Sequence, residues 1–292
     1  MRTLKVGSRK SALAMKQTQL VVDAIKENHP ECSFEIIGIS TKGDRLQQVP
    51  LAQIGGSGVF VKEVEHQLQE GLIDFAVHSL KDMPAILPDD LMLAATPKRA
   101  TPFDCLILQD KESLAQEEPL LIGTSSVRRA KQLAEAYPQM TFTPIRGKIE
   151  TRIQKMTTEN LDGTVLACAG LERLDYFDRL PAYKVLTPEV CVPAVGQGIL
   201  GVECRKEDTE LIQLLAGITH QETHEAAQAE RQFLRRMDGN CEIPLGGYAE
   251  KSGDEWIFHA YLAKDRSAEG RYLRLVGANA FELANQAADE LL

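Results

Sequence analysis

The strongest constraint on the fold is an alternation of short apolar runs with amphipathic helical segments over roughly the first 217 residues. Residues 33–41 are rich in β-branched side chains and predict a strand, and residues 72–77 are almost wholly apolar, as in a strand covered on both faces. Between them, Phe60, Val64 and Leu68 recur at helical spacing. Strands separated by helices favour α/β layers with parallel pairing.

The pattern changes after about Gly217. A long helix over 219–237 is followed by two strands over 255–263 and 271–277 and by a closing helix over 279–292. This succession predicts a compact α+β unit at the end of the chain.

Prolines punctuate the chain near 97–102 and near 188–197, which marks two crossings between two α/β domains. We therefore predict three domains: a first α/β lobe of residues 1–98 and 198–217, a second α/β lobe of residues 99–197, and an α+β domain of residues 218–292.

Charge and composition exclude several classes of protein. The 292 residues include 33 basic and 42 acidic side chains, so the net charge of −9 argues against a nucleic-acid-binding protein. No apolar run approaches the roughly 20 residues that span a bilayer, and the first residues lack the apolar core of a signal peptide, so we expect a cytoplasmic protein. The six cysteines form no CxxC pair and are expected to be free thiols.

Basic residues cluster beside glycine, serine or threonine where predicted strands run into helices. Three such segments occupy residues 7–11, 123–129 and 146–152. Helix N-termini attract anions, and the arginine fork matches carboxylate oxygens. For any one exposed arginine a solvated charge is the favoured interpretation, but three such junctions in an acidic protein favour an anion-binding cleft at the strand carboxyl ends.

The sequence HSLKDMP at residues 78–84 follows the predicted strand over 72–77. Pro84 prevents a helix from continuing, so Lys81 and Asp82 are expected at the carboxyl edge of the strand. A carboxylate among cations can stabilise a developing positive charge or pass protons. Taken alone, a surface Lys–Asp pair is an equally good interpretation.

Three other motifs lack the neighbouring residues or elements that their usual function requires. The glycines of residues 196–201 match GxGxxG but lead into a strand-like run, which argues against a dinucleotide site. The glycines of residues 55–58 lack the Lys-Ser/Thr ending of a P-loop. His220 and His224 stand at i and i+4, but Gln221 replaces the glutamate of HExxH, so no metal site is expected.

Five motifs occur in one order: GSRKSALA at 7–14, HSLKDMP at 78–84, GTSSVRR at 123–129, PAVGQG at 193–198 and Asn240-Cys241. In this combination the chain resembles the porphobilinogen deaminase family over essentially its whole length. The resemblance implies an α/β fold with two lobes similar to periplasmic binding proteins and a small α+β C-terminal domain that carries the cysteine. It also implies a transferase of tetrapyrrole and haem biosynthesis. Such an enzyme joins four porphobilinogen molecules head to tail with loss of ammonia and then hydrolyses off linear hydroxymethylbilane.

The resemblance further implies a dipyrromethane cofactor attached covalently to Cys241, with Asp82 as the catalytic group. By motif match, the residues that bind the cofactor are Lys81, Asp82, Ser126, Arg128, Arg129 and Arg146. Those that bind substrate are Arg9, Ser11, Arg152, Arg173 and Gln197. The implied partner is porphobilinogen, with no nucleic acid, membrane or metal, and we expect a monomer.

The chain departs from the family's pattern in two places. Lys148 follows Gly147 where relatives often have asparagine. The glycine-rich loop has Gln53 and Ser57 where relatives often carry lysines, although Lys62 is near. These departures concern neither Asp82 nor Cys241.

The alternative is a non-enzymatic anion-binding protein built on the same two-lobed scaffold. It accounts for the cationic junctions, but it leaves Cys241 and Asp82 without a role. The presence or absence of a covalent adduct distinguishes the two hypotheses.

Overall fold

The first of the molecule's β-sheets has five strands and is built from the beginning of the chain and one later segment. A computed structural model describes residues 3–45, 61–110, 118–238, 243–265 and 267–292. Across the first sheet the strands are ordered β2 (Phe34–Ile39), β1 (Leu4–Arg9), β3 (Phe75–Ser79), β10 (Leu200–Arg205) and β4 (Leu91–Ala95). β1 is parallel to both β2 and β3, whereas β10 runs antiparallel to β3 and β4.

A second five-stranded sheet repeats this plan in the middle of the chain. Its order is β7 (Met140–Thr143), β6 (Leu120–Gly123), β8 (Gly163–Ala167), β5 (Asp104–Leu108) and β9 (Ala182–Val185). β6 is parallel to β7 and β8, and β5 is the antiparallel strand. In each sheet the antiparallel strand is the one that the chain forms just after crossing from the other sheet.

Helices cover these sheets, and several begin at a side chain that accepts a backbone N–H. They are α1 (Ala12–Asn28), α2 (Lys42–Arg45), α3 (Lys62–Gln69), α4 (Val127–Ala136), α5 (Ile149–Thr158), α6 (Cys168–Arg173), α7 (Thr209–Ala216), α8 (Gln221–Arg236) and α9 (Ala280–Leu291). Ser11, Ser126, His220 and Asn279 cap α1, α4, α8 and α9. No helix in the described ranges is both long and apolar enough to cross a bilayer.

The C-terminal unit is an antiparallel sheet of β11 (Leu245–Ser252), β12 (Glu255–Leu262) and β13 (Arg271–Gly277), packed against α8 and α9. Its core contains Phe233, Trp256 and Phe258. Burial of such aromatic side chains stabilises a small unit by a few kcal/mol per side chain, at roughly 25 cal/mol per Å² of apolar surface.

The two crossing segments lie side by side between the lobes. The Arg99 side chain donates to the carbonyl of Gln197 at 2.9 Å, and the backbone N–H of Ala100 donates to Gly198 at 3.2 Å. Gly198 has a φ of +87°, and a Cβ there would lie 2.5 Å from the carbonyl oxygen of Ala100. The close approach therefore requires glycine at this position.

The predicted fold class is confirmed: two α/β lobes precede an α+β unit. The domain boundaries at 98, 197 and 217 stay a prediction. Two expectations are wrong in part. The sheets are mixed rather than purely parallel, and the strand predicted over 72–77 begins at Phe75. Leu72 is 57% exposed and the Asp74 carboxylate accepts the backbone N–H of Lys5 at 2.7 Å, so these residues form the turn that precedes β3.

The structure also bears on the rejected glycine motif. Residues 195–198 form a turn that leads into β10, so no helix follows the glycines of residues 196–201. His220 accepts the backbone N–H of Thr223 as a helix cap. Phe60 and the glycine-rich residues 55–58, with Gln53 and Ser57, lie outside the described residues.

Candidate active site

Asp82 lies in a short 3₁₀ turn, Leu80–Asp82, at the carboxyl end of β3. The backbone N–H of Leu80 donates to Ile199 at 2.9 Å, and the buried side chains of Leu80 and Met83 anchor the turn on both sides of Asp82. Asp82 itself is half-buried. Its neighbours are therefore fixed while its carboxylate faces partly open space, as expected for a residue that meets a ligand.

Lys81 connects this turn to the crossing segment. Its Nζ donates to Oε1 of Gln197 at 3.2 Å. Gln197 is fully buried and donates from Nε2 to the carbonyl of Pro102 at 2.8 Å and to Oδ1 of Asp104 at 3.0 Å. A single amide thus joins the first lobe, at Lys81, to the second lobe, at Asp104.

Asp104 at the start of β5 is a buried carboxylate held by two arginines of α4. Its Oδ2 accepts from Nη1 of Arg128 at 2.8 Å, and its Oδ1 accepts from Nε and Nη2 of Arg129 at 2.9 and 2.6 Å. Burial by itself raises the pKa of Asp104, but the two guanidinium charges outweigh it and hold that pKa well below its usual range. Asp104 therefore stays ionised and compensates the buried cations.

The two arginines differ in how much of the guanidinium is engaged. Arg129 uses Nε, Nη1 and Nη2 for Asp104 and the carbonyl of Val165. Arg128 makes its hydrogen bonds to described residues through Nη1, to Asp104, Cys191 and Val192. Nε and Nη2 of Arg128 remain able to bind a carboxylate.

Further cations lie near this pair. Burial lowers the pKa of Arg152 to about 10, and the charges of Arg129 and Arg146 add to that effect, so these three arginines are close enough to repel one another. Arg152 still carries its charge at neutral pH, and its Nε donates to the carbonyl of Gly147 at 2.8 Å. Ser126, which caps α4, adds a helix N-terminus to the same region.

The surroundings of Lys81 also lower its pKa. Burial lowers its pKa to about 8, and the charges of Arg129 and Arg128 also lower it, while those of Asp82 and Asp104 raise it. Lys81 is charged at neutral pH, and an anionic ligand would restore the pKa by supplying the missing counter-charge.

The remaining predicted residues occupy other places at the lobe junction. Arg9 ends β1 at the same sheet edge as Ser79, because β1 and β3 are parallel. The Ser11 side chain caps α1 by accepting from the backbone N–H of Ala14 at 3.2 Å. Arg173 ends α6 and donates to the carbonyl of Gly198 at 2.7 Å. Burial lowers the pKa of Arg173 to about 10.

The structure thus joins Lys81, Gln197, Arg128 and Arg129 in one hydrogen-bonded chain and places Arg146 and Arg152 beside it. Cys241 lies outside the described residues. Asp104 was not among the site residues predicted from the sequence, although a lone acid that opens an apolar strand is itself a signal that a buried cation lies near. Lys148 is exposed at the start of α5.

A dipyrromethane bears several carboxylates, and the residues present fit such a group. Within the part of the chain that the structure describes, the region offers a half-buried lysine whose hydrogen bond goes to an amide, an arginine whose Nε and Nη2 make no hydrogen bond, and two further arginines close to each other. Buried cations without full compensation favour anionic ligands. Among the described residues, no cluster of His, Cys, Asp or Glu is arranged to hold a metal ion.

The sequence matches the profiles of one protein family and full-length relatives from that family. Residues 4–213 match the family profile "Porphobilinogen deaminase, dipyromethane cofactor binding domain", and residues 224–292 match "Porphobilinogen deaminase, C-terminal domain". The chain is 45% identical to a porphobilinogen deaminase of Listeria innocua, covering 100% of this chain and 95% of that protein. It is 44% identical to a porphobilinogen deaminase of Limosilactobacillus reuteri, covering 98% and 94%.

Solved structures show weaker likenesses. A probable amino-acid ABC transporter extracellular-binding protein of Bacillus subtilis is similar with a TM-score of 0.44 and 9% identity, covering 74% of this chain and 89% of that chain. A periplasmic binding protein of Salmonella typhimurium with high arginine specificity has a TM-score of 0.41 and 12% identity, covering 80% and 98%. The family profiles and the full-length relatives decide the assignment: this chain belongs to the porphobilinogen deaminase family.

Proposed function

We propose that this chain is a hydroxymethylbilane synthase in which Asp82 is the catalytic group and Cys241 is the covalent attachment point of the cofactor. The substrate is porphobilinogen, and four molecules are joined head to tail with loss of ammonia before hydrolysis releases the linear product. A bound dipyrromethane supplies the pyrrole carbon to which substrate units are added.

The chain's own residues bind anions and handle charge. Lys81, Arg128, Arg129 and Arg146, with the Ser126 helix cap, would hold the carboxylates of the cofactor. Arg9, Ser11, Arg152, Arg173 and Gln197 would serve the substrate. The Asp82 carboxylate would lie near the pyrrole nitrogens, stabilise positive charge as it develops there and carry protons between successive steps.

The observation that carries the proposal is the environment of Lys81, next to Asp82. Burial and two nearby arginines lower the pKa of this lysine more than Asp82 and Asp104 raise it, and its hydrogen bond goes to a neutral amide, so a further anion would stabilise the site. Porphobilinogen and its oligomers bring carboxylates to that position. The same cations would also serve the non-enzymatic anion-binding alternative, but family membership favours the enzyme.

Three further features belong to the proposal: the domain boundaries at 98, 197 and 217, a cytoplasmic location and a monomeric state. The fold is consistent with these boundaries, since each of the two larger sheets takes its antiparallel strand from just beyond a crossing segment.

The experiment is incubation of the purified chain with porphobilinogen, with measurement of released ammonia and of hydroxymethylbilane. The enzyme is expected to release four ammonia molecules for each linear tetrapyrrole. Saturable binding of porphobilinogen without release of ammonia would contradict the enzyme and support the anion-binding alternative.

A further inference from the structure

Helix α8 of the C-terminal unit contacts the turn that carries Asp82 at two points. Ala227 packs with Leu80 in a small buried apolar cluster. One helical turn further on, Arg231 donates from Nη2 to the carbonyl of Ala85 at 3.1 Å. Residues four apart lie on the same face of a helix, so a single face of α8 holds both sides of the turn.

A second arginine of α8 reaches the same carbonyl. Arg235 donates from Nε to Ala85 at 3.0 Å, but its side chain is exposed, whereas Arg231 is only 5% exposed. The helix ends at Arg236, and Cys241 follows five residues later in the sequence. One helix therefore contacts the Asp82 turn and leads toward the proposed cofactor thiol.

Arg231 also faces a buried polar cluster beneath the turn. Glu203 on β10 and His78 on β3 form a buried pair, with Oε2 and Nε2 3.0 Å apart, and Glu65 on α3 is buried beside them. Within the described ranges, three buried atoms of this region have no hydrogen-bond partner: Oε1 of Glu65, Oε1 of Glu203 and Nη1 of Arg231. Such atoms are costly unless something bonds to them.

Charge effects connect Glu203 to both Glu65 and Arg231. Burial raises the pKa of Glu65 to about 7, the charge of Glu203 adds to the rise, and those of His78 and Lys62 oppose it. Burial lowers the pKa of Arg231 to about 10, the charge of Arg235 adds to that shift, and the charge of Glu203 opposes it.

Arg231 and Glu203 nevertheless form no direct ion pair in the described part of the chain. An internal water with two to four polar partners commonly bonds to buried polar atoms that have no direct partner.

We propose that Arg231 is a positioning residue for the condensation, and that an internal water joins its Nη1 to Oε1 of Glu203. The water fixes one end of the guanidinium on the first lobe, so the other end holds the Ala85 carbonyl in place. Because Pro84 restricts the backbone between Asp82 and Ala85, the position of that carbonyl sets the position of the Asp82 turn. The inference rests on the proposed function.

The first test compares Arg231→Met with Arg235→Met in holoenzyme whose cofactor is verified by intact mass. A displaced Asp82 lowers kcat, so Arg231→Met is expected to lose about tenfold to hundredfold in kcat while KM changes by less than about twofold. Arg235→Met removes an exposed donor to the same carbonyl but leaves the buried Arg231 bond in place, and is expected to keep kcat within about twofold. Equal losses in the two variants would overturn the inference.

A second test adds Glu203→Gln and the double variant with Arg231→Met. Two residues that act through one water are not additive, so the double variant is expected to lose no more kcat than the worse single variant. Additive losses would contradict a shared water. A crystal structure of the unmodified chain provides a check that needs no variant: a water bonded to Arg231 and Glu203 is expected, and a direct ion pair between them would overturn the proposal.

These outcomes separate the inference from the proposed function. If the unmodified chain shows no turnover of porphobilinogen, the proposed function fails. If it turns over and the arginine variants behave alike, the inference alone fails.

Discussion

Asp82 and Asp104 show how one type of side chain takes two roles within a small region. Asp104 is fully buried, and both of its oxygens are engaged by arginines. Asp82 is half-buried beside Lys81, in a turn fixed on both sides. A carboxylate whose oxygens are committed to structure compensates charge, whereas one that faces open space can act on a substrate. The resemblance selected Asp82, and the geometry is consistent with that choice.

The first prediction at the residue scale concerns Asp82→Asn. The amide keeps the shape of the side chain but can neither carry a proton nor supply a negative charge, so kcat is expected to fall by about 10²–10⁴. The free energy of unfolding is expected to change by less than about 1 kcal/mol, since the carboxylate is not in a buried ion pair. Asp89→Asn, on the exposed loop that follows, is the matched control and is expected to keep its kcat.

The second prediction concerns Lys81 and pH. Burial lowers the pKa of Lys81 to about 8, so the free enzyme loses this positive charge as the pH rises through that value. Affinity for the carboxylates of the cofactor falls with the charge, and the rate at which the cofactor-free chain acquires its adduct from porphobilinogen is expected to fall by up to about tenfold between pH 7 and pH 9. Lys81→Arg keeps its charge over this range. If the rate falls as much in Lys81→Arg, Lys81 is not the source of the pH dependence.

The cations come together because the ends of three secondary-structure elements meet at the site. β3 ends at the Asp82 turn, β5 begins at Asp104, and α4 begins at the Ser126 cap, with Arg128 and Arg129 in its first turn. The buried Asp104 compensates one of the two arginine charges, so the excess of positive charge beneath the surface is reduced to a single unit.

The prediction at this scale is that Asp104→Asn destabilises the fold strongly. Removing one partner of a buried ion pair leaves uncompensated charge, which costs about 3–5 kcal/mol in the free energy of unfolding. Urea denaturation of Asp104→Asn and of the unmodified chain measures this loss in the free energy of unfolding. Glu159→Gln breaks an exposed pair with Lys155 on α5 and is expected to cost less than about 0.5 kcal/mol. A loss that small in Asp104→Asn would show that the arginines are compensated elsewhere.

The elements were largely predictable because each carries a local signal. The strand over 163–167, the helix capped by Ser126 and the strand over 271–277 all follow periodicity, capping or β-branched content. β9 and β11 were not predicted from the sequence. The side chains of β9 are mostly exposed, and β11 contains Gly246 and Gly247, which weaken the strand pattern. The antiparallel strands of both lobes depend on pairing between distant segments, which no local pattern records.

The candidate site residues were predicted from sequence motifs rather than from the periodicity or capping of single elements. Motifs placed Lys81, Asp82 and the arginines correctly at strand and helix ends, but only a three-dimensional arrangement shows that Gln197 connects Lys81 to Asp104. The sequence likewise gives no sign that Arg231 bonds to the Ala85 carbonyl, because that contact depends on the packing of α8 against the first lobe.

Over the whole molecule, the three units meet at the crossing segments. Arg99 and Gly196 both bond to the buried carboxylate of Glu230 on α8, at 2.6 Å each. Tyr261 of the C-terminal sheet donates to Glu135 of α4 at 2.8 Å. The C-terminal unit is thereby attached to the crossings and to the second lobe. The acidic protein concentrates its buried cations at this junction, where a ligand rich in carboxylates would provide the balancing charge.

The most direct measurement is the intact mass of the purified chain, of Cys241→Ser and of Asp82→Asn, before and after addition of porphobilinogen. The unmodified chain is expected to carry an adduct of two pyrrole units that is absent from Cys241→Ser. Asp82→Asn is expected to carry the adduct but to extend it far more slowly. An unmodified chain without any adduct, or an adduct that persists on Cys241→Ser, would contradict the account of a primer attached to Cys241 and extended at Asp82.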